Sequence, residues 1–111
     1  MTVNISVIDE FERQARRLSK KYKSLRDDIR TLVDDLRKDP FLGESLGGGV
    51  RKVRMAVGSK GRGKSGGARV LTLTLLVSED ADVTLLTIYD KSEIGNVTDE
   101  YISWLVREAR K

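Results

Sequence analysis

The spacing of apolar residues changes at Pro40, and this change constrains the fold more than any other feature of the chain. Before Pro40, apolar residues recur at helical spacing in two runs, and each run opens on a capping pattern, Asp9 with Glu12 and Ser24 with Asp27. Proline disfavours helical geometry in the residue before it, so the second run ends there. The pattern predicts two helices that fold back on each other as a hairpin. The apolar residues of the two runs are Phe11, Ala15, Leu18 and Tyr22, then Leu25, Ile29, Leu32, Val33 and Leu36.

Alternation of apolar and polar residues predicts strands on both sides of this hairpin. Residues 3–7 form a short one, and three more are predicted over residues 52–57, 68–77 and 83–89. Residues 41–49 are predicted to form a connecting loop, because the three glycines at 47–49 cost conformational entropy in a regular element. A last helix is predicted to follow Thr98 as its N-cap. The order β-α-α-β-β-β-α predicts one α+β domain over residues 1–111, with an antiparallel sheet and the helices on one face or at one end.

Positive charge is concentrated in one part of the chain. No acidic residue occurs between Glu44 and Glu79, whereas seven cations do; without them, the net charge of +4 becomes −3 for the rest of the molecule. A local cationic surface on an otherwise mildly acidic protein is typical of phosphate binding, and RNA is the favoured ligand. The seven cations are Arg51, Lys52, Arg54, Lys60, Arg62, Lys64 and Arg69.

Missing residue types limit the possible chemistry. The chain has no cysteine and no histidine, which excludes Ser-His-Asp and Cys-His catalysis and zinc sites built on those residues. Catalysis would have to use Lys, Arg, Tyr or a carboxylate, and neither a cofactor nor a metal is expected. The sequence has no signal-peptide pattern and no apolar run of membrane-spanning length, so we expect a cytoplasmic protein with no membrane partner.

Residues 58–65 satisfy the nucleotide-binding pattern G-x-x-x-x-G-K-S. That loop requires a helix directly after the lysine, because the helix N-terminus receives the phosphates. Here Gly66 and Gly67 are followed by strand alternation instead. We therefore favour contacts between this glycine-rich loop and RNA phosphates over a nucleotide site.

Four segments, taken in order and spacing, resemble the RelE/ParE superfamily of bacterial toxins and its HigB-type members in particular. The resemblance implies a RelE-like fold: an N-terminal strand and helical hairpin, then a mostly antiparallel three-stranded sheet and a C-terminal helix. It implies a toxin of a type II toxin–antitoxin pair that cleaves mRNA in the ribosomal A site. The implied partners are a cognate antitoxin, of the helix-turn-helix type, the 70S ribosome and mRNA, with operator DNA bound only through the antitoxin complex. The segments are residues 51–54 (RKVR), the basic loop 58–67, residues 66–71 (GGARVL) and residues 89–92 (YDKS).

The same resemblance assigns the candidate catalytic residues. Lys52, Arg54 and Arg69 match the family's cations on two strands, and Lys91 matches a basic residue near the end of the last strand. Like charges around Lys52 would disfavour its ammonium form, which makes it a candidate base. Arg54 and Arg69 present forked donors suited to phosphate oxygens, and Lys91 or Tyr89 is the candidate acid. The residues predicted to bind RNA without taking part in the chemistry are Arg51, Lys60, Arg62 and Lys64.

Two other functions remain open on the sequence. A ParE-type inhibitor of DNA gyrase would share the fold without the catalytic cations. An RNA-binding or ribosome-binding module without chemistry would bind in a salt-sensitive way and leave no new RNA ends.

Overall fold

The α+β fold of this protein is seen in a computed structural model that describes residues 1–61, 63 and 66–111. Its helices are α1 (Asp9–Ser19), α2 (Leu25–Lys38) and α3 (Asp99–Ala109). Its strands are β1 (Val3–Val7), β2 (Glu44–Gly47), β3 (Val50–Met55), β4 (Ala68–Val77) and β5 (Asp80–Asp90). A 3-10 turn, Gly58–Lys60, follows β3. No helix within the described ranges has the length and apolar character that a bilayer span requires.

One mixed sheet contains all five strands, in the order β1-β5-β4-β3-β2. The pairs β2–β3, β3–β4 and β4–β5 are antiparallel, and β1 runs parallel to β5 at the opposite edge. The antiparallel strands predicted over residues 52–57, 68–77 and 83–89 are therefore the middle of a wider sheet. Residues 44–47, predicted as loop, pair with β3 as an edge strand. The glycines do not prevent this strand, because its pairing ends in an irregularity between Ser45 and Gly47, where a positive φ at Gly47 is accommodated.

Each face of the sheet is covered by a different layer of helix. The α1–α2 hairpin packs its apolar stripe, including Leu18 and Leu36, on one face, against Val53 and Val70 among others. Helix α3 packs Leu105 on the other face, against Leu71 and other residues. The prediction that the helices lie on one face or at one end is therefore corrected. We call the two sides the hairpin face and the α3 face.

The helix ends match the sequence patterns in part. Helix α2 ends at Lys38 before Asp39 and Pro40, as predicted, and the Thr98 hydroxyl caps α3 by accepting a hydrogen bond from the Tyr101 N–H at 3.1 Å. The α1 N-cap is Ile8 rather than Asp9, with no side-chain capping bond. Ser24 is the N-cap of α2 by position, but its hydroxyl donates to Asp28 at 2.7 Å instead of capping.

Candidate active site

Three predicted site residues form a row across the middle of the sheet. Arg54 of β3 pairs with Arg69 of β4, and Arg69 pairs with Tyr89 of β5. Directly paired residues of antiparallel strands project from the same face, so all three side chains leave the α3 face. We call them the Arg54–Arg69–Tyr89 row.

Lys52 belongs to the same face, because side chains two residues apart on a strand share a side. Its partner on β4 is Leu71, which lies in the core under α3. On the other side, Lys52 pairs with Glu44 of β2, and its Nζ lies 3.8 Å from the Glu44 Oε2 atom. The sequence pattern suggested only cations around Lys52. It missed this carboxylate because the strand that carries Glu44 was interpreted as a loop.

Exposure differs sharply along the row. Arg54 is exposed, whereas Arg69 is 6% and Tyr89 is 3% exposed. The Arg69 guanidinium donates to the Ala68 carbonyl oxygen at 3.2 Å. Burial raises the pKa of the Tyr89 phenol, and the nearby positive charge of Arg69 offsets part of this rise. The row therefore contains a permanent cation of low hydration beside a phenol that stays protonated at neutral pH.

A β-bulge in β5 decides which side chains join the row. The register between β4 and β5 shifts after Leu71, which pairs with Thr87, while Thr72 pairs with Leu85. The unpaired residue is Leu86, and the alternation of β5 changes face there. Tyr89 consequently lies on the α3 face, and Asp90 on the hairpin face.

Asp90 is the centre of a buried polar cluster directly behind the row. Its side chain is 1% exposed and accepts hydrogen bonds from Lys60 Nζ at 2.7 Å, from Ser92 Oγ at 2.7 Å and from the Tyr22 hydroxyl. Burial alone would raise the pKa of Asp90, but the bonds from Lys60, Tyr22 and Ser92 outweigh burial and hold it well below its usual range. We call Asp90, Lys60, Tyr22 and Ser92 the Asp90 cluster.

Lys60 was predicted to bind RNA, and the structure gives its ammonium a different partner. The Lys60 side chain is 8% exposed, and its Nζ also lies 5.4 Å from the centroid of the Tyr22 ring. If the Lys60 ammonium moved out to a phosphate, Asp90 would lose its closest cation and keep only the Lys21 Nζ, which lies 3.8 Å from Asp90 Oδ2. Breaking so buried an ion pair costs free energy. The sequence offered one signal for this cluster, a carboxylate at the end of a strongly apolar strand, but its face depends on the bulge.

The remaining predicted residues are not members of the row, and two of them lie outside the described ranges. Arg51 projects from the hairpin face, where its Nη1 donates to the Gly43 carbonyl at 3.3 Å and its guanidinium lies 5.6 Å from the Phe41 ring centroid. Lys91 is exposed just beyond β5, and its Nζ donates to the Gly95 carbonyl at 3.2 Å. The predictions for Arg62 and Lys64 lie outside the described residues.

A second buried polar cluster attaches α3 to α1 and the sheet. The Tyr101 hydroxyl bridges Glu10 Oε2 at 2.5 Å and Thr87 Oγ1 at 2.9 Å. Burial, then the bond to Glu10, raises the pKa of Tyr101 to about 12. Burial alone would raise the pKa of Glu10, but bonds from Tyr101, Arg13 and Gln14 outweigh it and lower that pKa. With so high a pKa, Tyr101 is better suited to holding α3 in place than to exchanging protons near neutral pH.

A groove of about 560 Å³ runs beside β3, between its outer edge and α2. Strand β2 pairs with β3 as far as Lys52, so within the described residues the outer edge of residues 53–55 has no strand partner. Asp28 and Asp35 of α2 line one wall, and Arg54 lines the other. Within the described ranges, no group of three or more carboxylates is arranged to hold a metal ion.

The nucleotide-loop pattern does not lead into a helix. Gly58 and Lys60 lie in the 3-10 turn, and β4 begins at Ala68. Ser65 lies outside the described residues. The element after the pattern is therefore a strand, which lacks the aligned N–H groups that receive phosphates. No protein-family model matches the sequence.

Proposed function

We propose that this protein is a ribosome-dependent mRNA endoribonuclease, the toxin of a type II toxin–antitoxin pair with a RelE-like fold of HigB type. The observation that carries the proposal is the Arg54–Arg69–Tyr89 row, with Lys52 beside it on the same face. Two arginines at directly opposed positions cost stability, so their pairing favours a ligand that supplies negative charge between them. The element order of β1, a helical hairpin, the antiparallel strands β3–β5 and a C-terminal helix is in keeping with the proposed fold.

The proposed reaction uses the RNA's own 2′-OH as the nucleophile. The 2′-oxygen loses its proton to Lys52 and attacks the adjacent phosphorus, which forms a five-coordinate phosphorane. The bond from phosphorus to the 5′-oxygen then breaks, leaving a 2′,3′-cyclic phosphate. Tyr89 or Lys91 gives the departing oxygen its proton, so the second product ends in a 5′-OH. Proton transfers by groups placed in this way lower the barrier at both oxygens.

The two arginines stabilise the charge that develops on the phosphorane. Guanidinium groups donate paired hydrogen bonds to phosphate oxygens and keep their charge at any pH that the fold tolerates. Arg69 lies in a low-dielectric setting, where a fixed positive charge acts more strongly on a phosphate than in water. Arg54 is exposed and would meet the RNA first.

The proposed partners are the 70S ribosome with its mRNA, in the bacterial cytoplasm, and a cognate helix-turn-helix antitoxin through which operator DNA is bound. The groove beside β3 supports an antitoxin contact, because an extended segment bound along the open edge of residues 53–55 would lie next to Arg54. Such a segment would cover the exposed end of the row.

Primer extension on ribosome-bound mRNA tests the proposal. The wild-type protein should generate new 5′-OH ends on translated mRNA and leave the same RNA uncut without ribosomes. Arg69→Ala should lose far more cleavage than Arg62→Ala, since we assign Arg62 to binding. Equal losses would contradict that division of roles. Ribosome binding without new ends would favour a binding module, and inhibition of DNA supercoiling would favour a gyrase inhibitor.

A further inference from the structure

We infer that Lys60 and Asp90 position the Arg54–Arg69–Tyr89 row, and that Lys60 is not a phosphate contact. This inference rests on the proposed function, which it deepens by naming residues that hold the reacting groups in place. It reverses the interpretation that the sequence alone favours for Lys60, a basic residue in a glycine-rich loop.

The first support is the placement of Asp90. It follows Tyr89 directly in β5 and pairs with Ala68, the residue before Arg69 in β4. Because neighbouring residues of a strand project to opposite faces, the Asp90 cluster lies on the hairpin face immediately behind the row. Any displacement of the Asp90 backbone therefore moves Tyr89 and Arg69 as well.

The second support is the set of segments that the cluster joins. Lys60 comes from the turn after β3, Tyr22 from the connection between α1 and α2, and Asp90 from the end of β5. These segments are distant in sequence, and two of them adjoin strands of the row, since the turn follows β3 and Asp90 is the last residue of β5. A pair of buried opposite charges fixes the distance between the turn and β5.

The third support is a set of three further hydrogen bonds, two at the start of the glycine-rich loop and one at its end. The Ser59 N–H donates to Ser24 Oγ at 2.8 Å, and the Gly58 N–H donates to Asp28 Oδ2 at 3.1 Å. At the other end, the Lys91 N–H donates to the Gly67 carbonyl at 3.2 Å. Lys60 is thus one of several contacts that hold the ends of the loop against the protein, which is a different task from reaching outward to RNA.

The experiment compares Lys60→Met and Asp90→Asn with Arg54→Met, and uses Lys38→Met, an exposed lysine at the end of α2, as the matched control. Ribosome affinity is measured against salt concentration, and the single-turnover cleavage rate is measured at saturating ribosomes. Loss of a phosphate contact should reduce the salt slope by about 0.7 to 0.9, as we expect for Arg54→Met. Lys60→Met should keep the wild-type slope and lose at least about tenfold in rate, since small misplacements of reacting groups cost rate steeply.

Asp90→Asn distinguishes the positioning role of Lys60 from a phosphate contact, because it removes the carboxylate that Lys60 is paired with and leaves every cation in place. Positioning predicts a lower cleavage rate for this variant and no further loss in the double variant with Lys60→Met. A phosphate contact predicts that Asp90→Asn keeps the full rate. A reduced salt slope in Lys60→Met, or a wild-type rate in Asp90→Asn, would overturn the inference.

Two controls keep the outcomes interpretable. Thermal melts confirm that each variant is folded at the assay temperature, and Lys60→Gln, which removes the charge but retains an N–H donor, replaces Lys60→Met if that variant unfolds. NMR amide shifts of Arg69 and Tyr89 report on the row without any cleavage. Both amide shifts should change in Asp90→Asn and remain at their wild-type values in Lys38→Met. If the wild type does not cut RNA, the proposed function fails. Unchanged amide shifts of Arg69 and Tyr89 in Asp90→Asn would contradict the positioning role alone.

Discussion

Arg54 and Arg69 are directly paired residues of β3 and β4, so two guanidinium side chains leave the same face of the sheet next to each other. Like charges at opposed positions of antiparallel strands are destabilising, by roughly 0.2 to 1 kcal/mol. Arg69 is also buried, so its charge is both opposed by Arg54 and poorly hydrated. The pairing therefore lowers the stability of the fold, and the RNA phosphate of the proposed function is a group that would offset the repulsion.

Arg54→Gln should stabilise the protein while it abolishes cleavage. Removing one of the opposed charges relieves their repulsion, so the free energy of unfolding should rise by a few tenths of a kcal/mol, as measured by urea denaturation. The same variant should lose at least about a hundredfold in ribosome-dependent cleavage, because it removes a donor to the phosphorane.

Arg110→Gln is the matched control for this prediction, since Arg110 is an exposed arginine at the end of α3 and the change in net charge is the same. It should leave cleavage unchanged. If Arg110→Gln stabilises the protein as much as Arg54→Gln does, general charge and not the pairing with Arg69 is responsible.

Much of the candidate site could be predicted from alternation alone. The pattern of residues 52–57 places Lys52 and Arg54 on one side and Val53 and Met55 on the other, and the structure has this arrangement. Local periodicity suffices here because a regular strand has a fixed period of two. Opposed positions on neighbouring strands depend on register, which the sequence does not specify, so the pairing of Arg54 with Arg69 could not be derived.

The bulge at Leu86 explains the largest omission. With regular alternation, Val83, Leu85, Thr87 and Tyr89 would share one face, but in the structure Val83 and Leu85 lie on the hairpin face while Tyr89 lies on the α3 face. One extra residue reverses every later side chain in the strand. Asp90 thereby becomes a buried charge, and its partner Lys60 becomes structural.

The acid sensitivity of the fold should depend on Asp90. Because its pKa is lowered in the folded protein, it contributes stability above the pKa it has when unfolded, about 4, and this contribution is lost as pH falls below that value. Asp90→Asn should be less stable than the wild type at pH 6. Its free energy of unfolding should fall less steeply between pH 4 and pH 2, so that the two curves converge.

Urea denaturation at several pH values measures both curves. Some acid dependence should remain in Asp90→Asn, because the pKa of Glu10 is also lowered in the folded state. Parallel curves for the wild type and Asp90→Asn would show that the Asp90 cluster does not control acid unfolding.

The loss of folding stability at alkaline pH should depend on Tyr101. Its pKa is raised to about 12 in the folded protein, so the stability it contributes is fully present below the unfolded value of about 10 and is lost as pH rises through about 12. Tyr101→Phe should flatten the loss of stability over this range. At pH 7 the variant should lose about 1 to 3 kcal/mol, because Glu10 and Thr87 lose a buried hydrogen-bond partner.

The same variant has a second, independent signature. Without the bond from Tyr101, the carboxylate of Glu10 keeps its burial and loses one of the contacts that lower its pKa, so this pKa should rise. Carboxyl NMR titration measures that change. An unchanged Glu10 titration in a folded Tyr101→Phe protein would contradict the bridge.

Gly67→Ala should reduce both stability and cleavage, because Gly67 lies directly before β4 and against the end of β3, close to Arg54 and Arg69. A Cβ atom at Gly67 would lie 2.2 Å from the Met55 carbonyl oxygen and 3.1 Å from the Ala56 Cα, and neither is a flexible side chain that can move aside. The ends of β3 and β4 would have to separate at the Met55–Ala68 pair, one position from Arg54 and Arg69. We expect a loss of about 1 to 3 kcal/mol in unfolding free energy, together with reduced cleavage by the folded fraction. Gly95→Ala is the matched control, since nothing lies within 4 Å of its added Cβ. Chemical denaturation of both variants should show a lower free energy of unfolding in Gly67→Ala alone. Equal stabilities would mean that the strands tolerate the extra methyl group and that their close approach does not require a glycine at position 67.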